Sequence, residues 1–371
     1  MWRNYLTVAV RALIKSRTYA FINLFGLTVG LAACLTVFLY TRYELGYDSS
    51  LADAERTYQL QQWVVGTDDP NLEIPFGTQM TSYVSGQRLR QFPQVESAVY
   101  VNQMQPIILQ NGQGTVSEHF VFVDGPLFDV IRLPFLRGDR RTALRAPDTM
   151  VLTQPEAMRR FGTVDVVGRT LTLAFAAGPV DYRITGVVRD PPRDSHLALS
   201  VVARLDFESL FGEDSPFLTG WMPKNGWVYA RLRPGADVAE IARQMPAWER
   251  RNIPDEIVGG ERMNPGTNVD WRLVNVRDIH LGESANGMRP INDRGTITAL
   301  AVVGALILAL AVINFVNLAT ARATQRAREV ALRKVLGASR RQLVVQFVGE
   351  SLLVTAAAMV IALALVEMLL S

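Results

Sequence analysis

Three long apolar runs limit what this chain can become. Residues 21–40, FINLFGLTVGLAACLTVFLY, carry no formal charge. As a helix such a run spans about 30 Å, the thickness of a bilayer core. A second run covers 297–319, ITALAVVGALILALAVINFVNLA, and a third is centred on 351–366, SLLVTAAAMVIALALV, between Glu350 and Glu367. All three read as transmembrane helices.

The flanks set the direction of insertion. Residues 1–20 contain Arg3, Arg11, Lys15 and Arg17 and no acid. Residues 320–343 contain Arg322, Arg326, Arg328, Arg333, Lys334, Arg340 and Arg341 against Glu329 alone. Basic flanks stay on the cytoplasmic side. The N-terminus and the 320–343 segment are therefore expected inside, and the long stretch between the first two helices outside. A cleaved signal peptide is disfavoured, because the first run exceeds a 7–15-residue apolar core and no small-residue cleavage site follows. LAAC at 31–34 fits a lipoprotein box, but the apolar run continues beyond Cys34, which favours a packing role for that residue. Trp2, Tyr5, Leu6, Ala9, Leu13 and Ile14 recur at helical spacing, as in a helix lying in the inner interface or in an ordinary basic flank.

The outer region alternates short strands with short helices. Residues 180–185 alternate apolar and polar, as do Leu171, Leu173 and Phe175, and Val269, Trp271 and Leu273. TQPE at 153–156 predicts a capping box opening a helix that Gly162 ends, and DVAE at 237–240 opens another. Residues 190–193 and 264–266 read as loops. The expected fold is membrane α-helical, with three transmembrane helices and a large mixed α/β periplasmic domain inserted between helices one and two. The boundaries are 1–20 cytoplasmic amphipathic segment, 21–41 helix one, 42–295 periplasmic domain, 296–319 helix two, 320–343 cytoplasmic segment and 344–371 helix three.

Catalytic chemistry finds little footing. The only lysines are Lys15, Lys224 and Lys334, and none follows a glycine, so a phosphate-binding Gly-Lys loop is absent. His119, His196 and His280 lie far apart, and a single cysteine excludes a cysteine-rich metal cluster. Ser195 and His196 are neighbours on a loop with no evident third member. Glu118 and His119 are expected in a strand, pointing to opposite faces. Neither an enzyme nor a cofactor is expected.

Other positions point to packing. Gly26 and Gly30 form a Gly-x-x-x-Gly pattern that permits close approach of a second helix. Asn314 and Asn317 share a helix face and are expected against protein rather than lipid. In the basic segment, Arg326, Arg333 and Arg340 recur every seven residues, with Val330, Leu332, Val335 and Leu336 between them. Gly337 permits a turn, after which Ser339 can cap the next helix. On composition alone, this segment could be an inert topology anchor.

Its sequence says more. REVALRKVLGASR at 328–340 resembles the segment between the second and third membrane helices of FtsX/MacB-type ABC transporter permeases. NFVN at 314–317, QFVGES at 346–351 and FINLFGL at 21–27 are similar to that family. So are AERTY at 54–58, RGD at 137–139, VGR at 167–169 and ITGV at 184–187. The resemblance implies a permease subunit without ATPase motifs, driven by a cytoplasmic ABC ATPase partner and transmitting motion to the periplasmic domain for export, extraction or mechanical work. It implies a coupling helix, to which we assign Glu329, Leu332, Arg333, Leu336, Gly337 and Arg340. It also implies residence in a bacterial inner membrane, pairing with a second copy or permease half, lipid contact and periplasmic partners, with no nucleic acid. The family unit usually has a fourth membrane helix, which leaves a fragment or half-permease as an expectation. A membrane-anchored periplasmic sensor or regulatory scaffold is the alternative, distinguished by whether an ATPase co-purifies.

Overall fold

Strands whose residues alternate between two apolar faces must be covered on both sides. The computed structural model is built around such a sheet. It describes residues 17–66, 76–110, 112–258, 261–325, 327–337 and 339–370. The predicted interfacial stretch is therefore outside the described residues as far as residue 16, as is Arg326. The chain divides into two units, one of residues 44–293 and one that joins the N-terminal part to residues 294–371.

The first unit holds a 14-stranded mixed sheet. The strands used below are β1 (Thr57–Val64), β2 (Val95–Gln103), β3 (Phe120–Asp124), β4 (Thr149–Thr153) and β5 (Thr170–Phe175). They continue with β6 (Gly178–Val188), β7 (Val201–Arg204), β8 (Trp227–Leu232) and β9 (Val269–Asn275). The central order is β1-β8-β2-β3-β7-β4-β6-β5, and β9 pairs with β1. The pairs β7/β3 and β6/β4 are parallel. Period-two alternation sends Phe120, Phe122, Met150, Leu152 and Val201 into one core, and Val121, Val123, Val151 and Val202 into the other. All six residues of β8 are buried.

Helices α2 (Tyr83–Leu89), α3 (Gln154–Phe161) and α4 (Val238–Asn252) pack on this sheet, and the last two residues of α1 (Arg17–Leu45) belong to the same unit. On α4, Ile241, Met245 and Trp248 are buried at i, i+4 and i+7. Trp248 meets Trp221 and Trp271 edge-on at centroid distances of 5.5 and 6.5 Å. Asp237 caps α4 by accepting the Ala239 N–H at 2.9 Å.

Three local expectations need correction. The α3 helix begins and ends as expected, with Gly162 at φ 68°, but Thr153 makes no side-chain cap bond. Glu156 turns instead to Arg159 and Arg160 at 2.7 and 2.5 Å, and two guanidinium groups outcompete a backbone amide for the carboxylate. Glu118 and His119 lie in a turn, not a strand, because pairing starts at Phe120 opposite Val201. Residues 265–268 form a 3-10 turn that Asn264 caps through the Gly266 N–H at 2.9 Å, rather than an open loop.

The second unit is helical: most of α1, then α5 (Arg294–Gln325), α6 (Ala327–Val335) and α7 (Arg340–Leu370). Among the described residues three helices are long and apolar enough to cross a membrane, with mean hydropathy of 2.1, 2.7 and 2.5. Small residues set their contacts. Leu27, Ala311 and Ala358 form one buried cluster, and Ala32, Ala362 and Val366 another.

Candidate coupling site

The basic segment between α5 and α7 folds as a short helix followed by a tight turn. Gly337, at φ 90°, adopts the left-handed conformation that L side chains avoid. Ser339 then opens α7 reciprocally: its Oγ accepts the Gln342 N–H at 3.3 Å, and Gln342 Oε1 accepts the Ser339 N–H at 2.9 Å. This capping box fixes the exit from the turn.

Three large apolar side chains, Leu332 and Val335 on α6 and Leu336 in the turn that follows, find little cover within the chain. Leu332, Val335 and Leu336 are 61%, 86% and 81% exposed. Arg333 is half-buried, and its Nη1 donates to Gln346 Oε1 at 2.7 Å; Gln346 Nε2 donates in turn to Glu350 at 3.2 Å. The chain Arg333–Gln346–Glu350 thus ties the short helix to the first turns of α7. Arg340 is exposed at the start of α7, and Glu329 lies within α6. Leu332, Val335 and Leu336 supply an apolar surface, with Arg340 exposed beyond the turn. A partner surface with an apolar groove and an acidic rim would complement this set.

The remaining predicted positions lie on the helix faces. A side chain at Gly30 would begin 2.6 Å from Ala311 Cβ, and one at Gly26 would begin 3.1 Å from Asn314 Nδ2. A side chain at Gly304 would meet Val37 at 2.8 Å. Along α1 the contacts rise from 26 to 37 while on α5 they fall from 314 to 304, so the two helices run antiparallel. Asn314 and Asn317 are exposed within this chain. Sequence reasoning passed over Asn23 and Thr28, which are buried on the inner face of α1. A polar side chain within an apolar run was the available signal.

The outer unit holds a buried polar chain that sequence reasoning also missed. Glu44 Oε2 lies 2.6 Å from His280 Nε2 and accepts from Asn292 at 3.0 Å. The His280 ring stacks on Tyr47 at 3.5 Å. Four residues after Glu44, Asp48 has φ 57°, a left-handed conformation that aspartate tolerates. It accepts the Ser195 hydroxyl at 2.5 Å and lies 2.8 Å from His196 Nδ1. His196 Nε2 faces the Tyr229 hydroxyl at 3.1 Å. Gln59 donates to that hydroxyl at 3.1 Å, Gln61 donates to Gln59 at 2.9 Å, and Ser284 donates to Gln61 at 2.6 Å. Burial pushes the Tyr229 hydroxyl pKa far above its ordinary value, so it remains a neutral link.

Ser195 and His196 therefore do have a third partner, contrary to the sequence reading. Their arrangement is structural: both address Asp48, Ser195 makes no bond to the imidazole, and all three are sealed from solvent. No group of three or more His, Cys, Asp or Glu among the described residues could hold a metal ion.

Comparison with known proteins gives this geometry its context. The sequence matches the MacB-like periplasmic core domain over residues 20–248 and the FtsX-like permease C-terminal domain over residues 301–371. No curated protein matches. Among solved structures, a domain of a putative permease protein from Porphyromonas gingivalis is similar at 16% identity and TM-score 0.49, covering 68% of this chain and 99% of that one. The periplasmic region of MacB from Actinobacillus actinomycetemcomitans is similar at 14% identity and TM-score 0.39, covering 61% and 91%. The extracellular domain of the noncanonic ABC-type transporter YknZ from Gram-positive bacteria is similar at 12% identity and TM-score 0.36, covering 59% and 100%. The periplasmic-domain match spans more than half of the sequence, and the permease match takes in α6, α7 and most of α5. The chain, a membrane protein with a large extracellular domain, belongs to the FtsX/MacB-type ABC transporter permease family.

Proposed function

We propose that the chain works as the permease subunit of an ABC transporter, converting ATP hydrolysis in a cytoplasmic ATPase into motion of its outer domain. Family membership implies an ATPase partner in general, and the site of coupling is our assignment. The exposed Leu332, Val335 and Leu336 carry it: three large apolar side chains on a basic helix and its following turn, between two membrane-length helices. Such a patch is costly in water and marks a contact surface. The basic flanks support the reading in which this helix and the N-terminus are cytoplasmic and the outer domain is periplasmic, in an inner membrane. A push on α6 passes to α7 through Arg333–Gln346–Glu350 and across the Gly337 turn.

The test is ATPase binding and stimulation by the full chain in lipid nanodiscs. Leu332→Asp with Leu336→Asp should weaken binding at least tenfold, because buried apolar anchors hold an interface. Arg340→Ala should cost only a few-fold and mainly at low salt, as rim charges do. Undiminished stimulation by the double variant, with insertion intact, would leave the segment as a topology anchor and favour the sensor or scaffold reading.

A further inference from the structure

Strand β9 pairs with β1 along one side. On its other side α4 lies alongside, and the two leave a cleft of about 430 Å3. This falls within the usual range of ligand pockets, about 300–1,000 Å3. Ile241, Met245 and Pro246 from α4 and Leu273 from β9 give the cleft apolar surface, and Trp271 forms part of its wall. Its charged groups are Glu249 from α4 and the Asp270–Arg272 pair from β9. Glu249 is only 8% exposed. One of its carboxylate oxygens, Oε1, accepts the Trp271 backbone N–H at 3.1 Å. The other has no hydrogen-bond or ion-pair partner among the described residues.

The surrounding charges do not compensate it. Asp270 on β9 repels it and is itself paired with Arg272 at 3.1 Å. Arg250 on α4 attracts it without forming a bond. Arg243, on the exposed side of α4, is held by Glu240 and Asp237. A buried carboxylate without a cation is unfavourable, and a cation delivered into the same apolar space removes that cost.

We propose that this cleft binds a small organic cation with an apolar body, an alkylammonium compound whose nitrogen meets Glu249 and whose chain lies along Ile241, Met245 and Leu273. The site is independent of the permease reading, since it needs neither ATPase nor membrane motion. Burial pushes the Glu249 carboxyl up to about 7; the Trp271 N–H and Arg250 oppose the rise, and Asp270 adds to it. An amine with a pKa near 10 stays protonated well above that value. Affinity should therefore rise as pH passes upward through 7.

The experiment uses the full chain in zwitterionic nanodiscs, with hexylamine as probe and empty nanodiscs as the partition control. Calorimetry and tryptophan fluorescence report binding. Saturable binding is expected at pH 8, weakened at least tenfold at pH 5.5 and in Glu249→Gln. Hexanol and hexanoate should bind at least tenfold more weakly than hexylamine. Ala242→Trp, an exposed position on the cleft wall, fills the space without touching the carboxylate and should abolish binding in a chain that folds. Equal binding of hexylamine and hexanol, or unchanged hexylamine affinity in either variant, overturns the proposal.

Discussion

In the outer domain Phe120, Tyr182 and Trp248 are sealed from solvent, whereas on α7 Leu352, Val360 and Leu363 stand 52–66% exposed. Both regions are rich in large apolar side chains and put them to different use. Water drives the first set inward, so strands are apolar on both faces and a tryptophan cluster fills the gap beneath α4. Lipid gives no such drive between helices, so contact there falls to small residues: Gly30 against Ala311, and Ala358 and Ala362 within their clusters. The exposed apolar residues of α6 belong to neither class. They lie on a basic helix outside the long apolar runs, which is why we assign them to a protein partner.

The same large-to-small change in each region gives the widest separation. Trp248→Ala should destabilise the outer domain by about 3–5 kcal/mol. Leu363→Ala in lipid should cost less than about 0.5 kcal/mol. Urea titration of the full chain, followed by near-ultraviolet circular dichroism, measures both; equal losses would erase the contrast. A middle-sized effect is expected from Gly30→Leu, which drives new atoms into Ala311. Overpacking of this kind costs about 1–3 kcal/mol. Cross-linking between cysteines placed on α1 and α5 should fall while membrane insertion persists, and unchanged cross-linking would remove Gly30 from the interface.

A smaller effect than the core and interface changes concerns Glu249. Its folded pKa is raised from 4.5 to about 7, so its stabilising contribution is complete below 4.5 and is lost as pH rises through 7. Discounted for partial solvent screening, this is about 1 kcal/mol, or roughly 2–4 °C in the outer domain's melting temperature between pH 5 and pH 8. Glu249→Gln should flatten that slope relative to the unsubstituted chain. An unchanged slope would mean that other groups carry it.

Features set by near neighbours in sequence were legible. The membrane runs, the alternating strands 171–175, 180–185 and 269–273, the Asp237 cap, the Gly162 stop and the Gly337 turn all depend on residues a few positions apart. The Ser339 cap was legible for the same reason, although its partner Gln342 was not foreseen. The TQPE motif misled because Arg159 and Arg160, just downstream, took the glutamate that the box required. Asp48 and Ser195 lie 147 residues apart, and Glu249 meets Trp271 only once β9 is laid beside α4. No periodicity announces such pairs. The basic segment 320–343 stood out by its charge and motif, but the bond from Arg333 to Gln346 depends on how the chain turns at Gly337.

The bond between Glu44 and Asn292 joins residues 248 positions apart at 3.0 Å. Closing a flexible loop of that length would cost roughly 5 kcal/mol of chain entropy. Here the folded domain closes it, so the membrane helices are connected as if by a short hairpin. An insertion held in this way is a cassette. A domain of different size or specificity could replace it across evolution, provided that its two ends met at the same span, and the helices on either side would need no redesign.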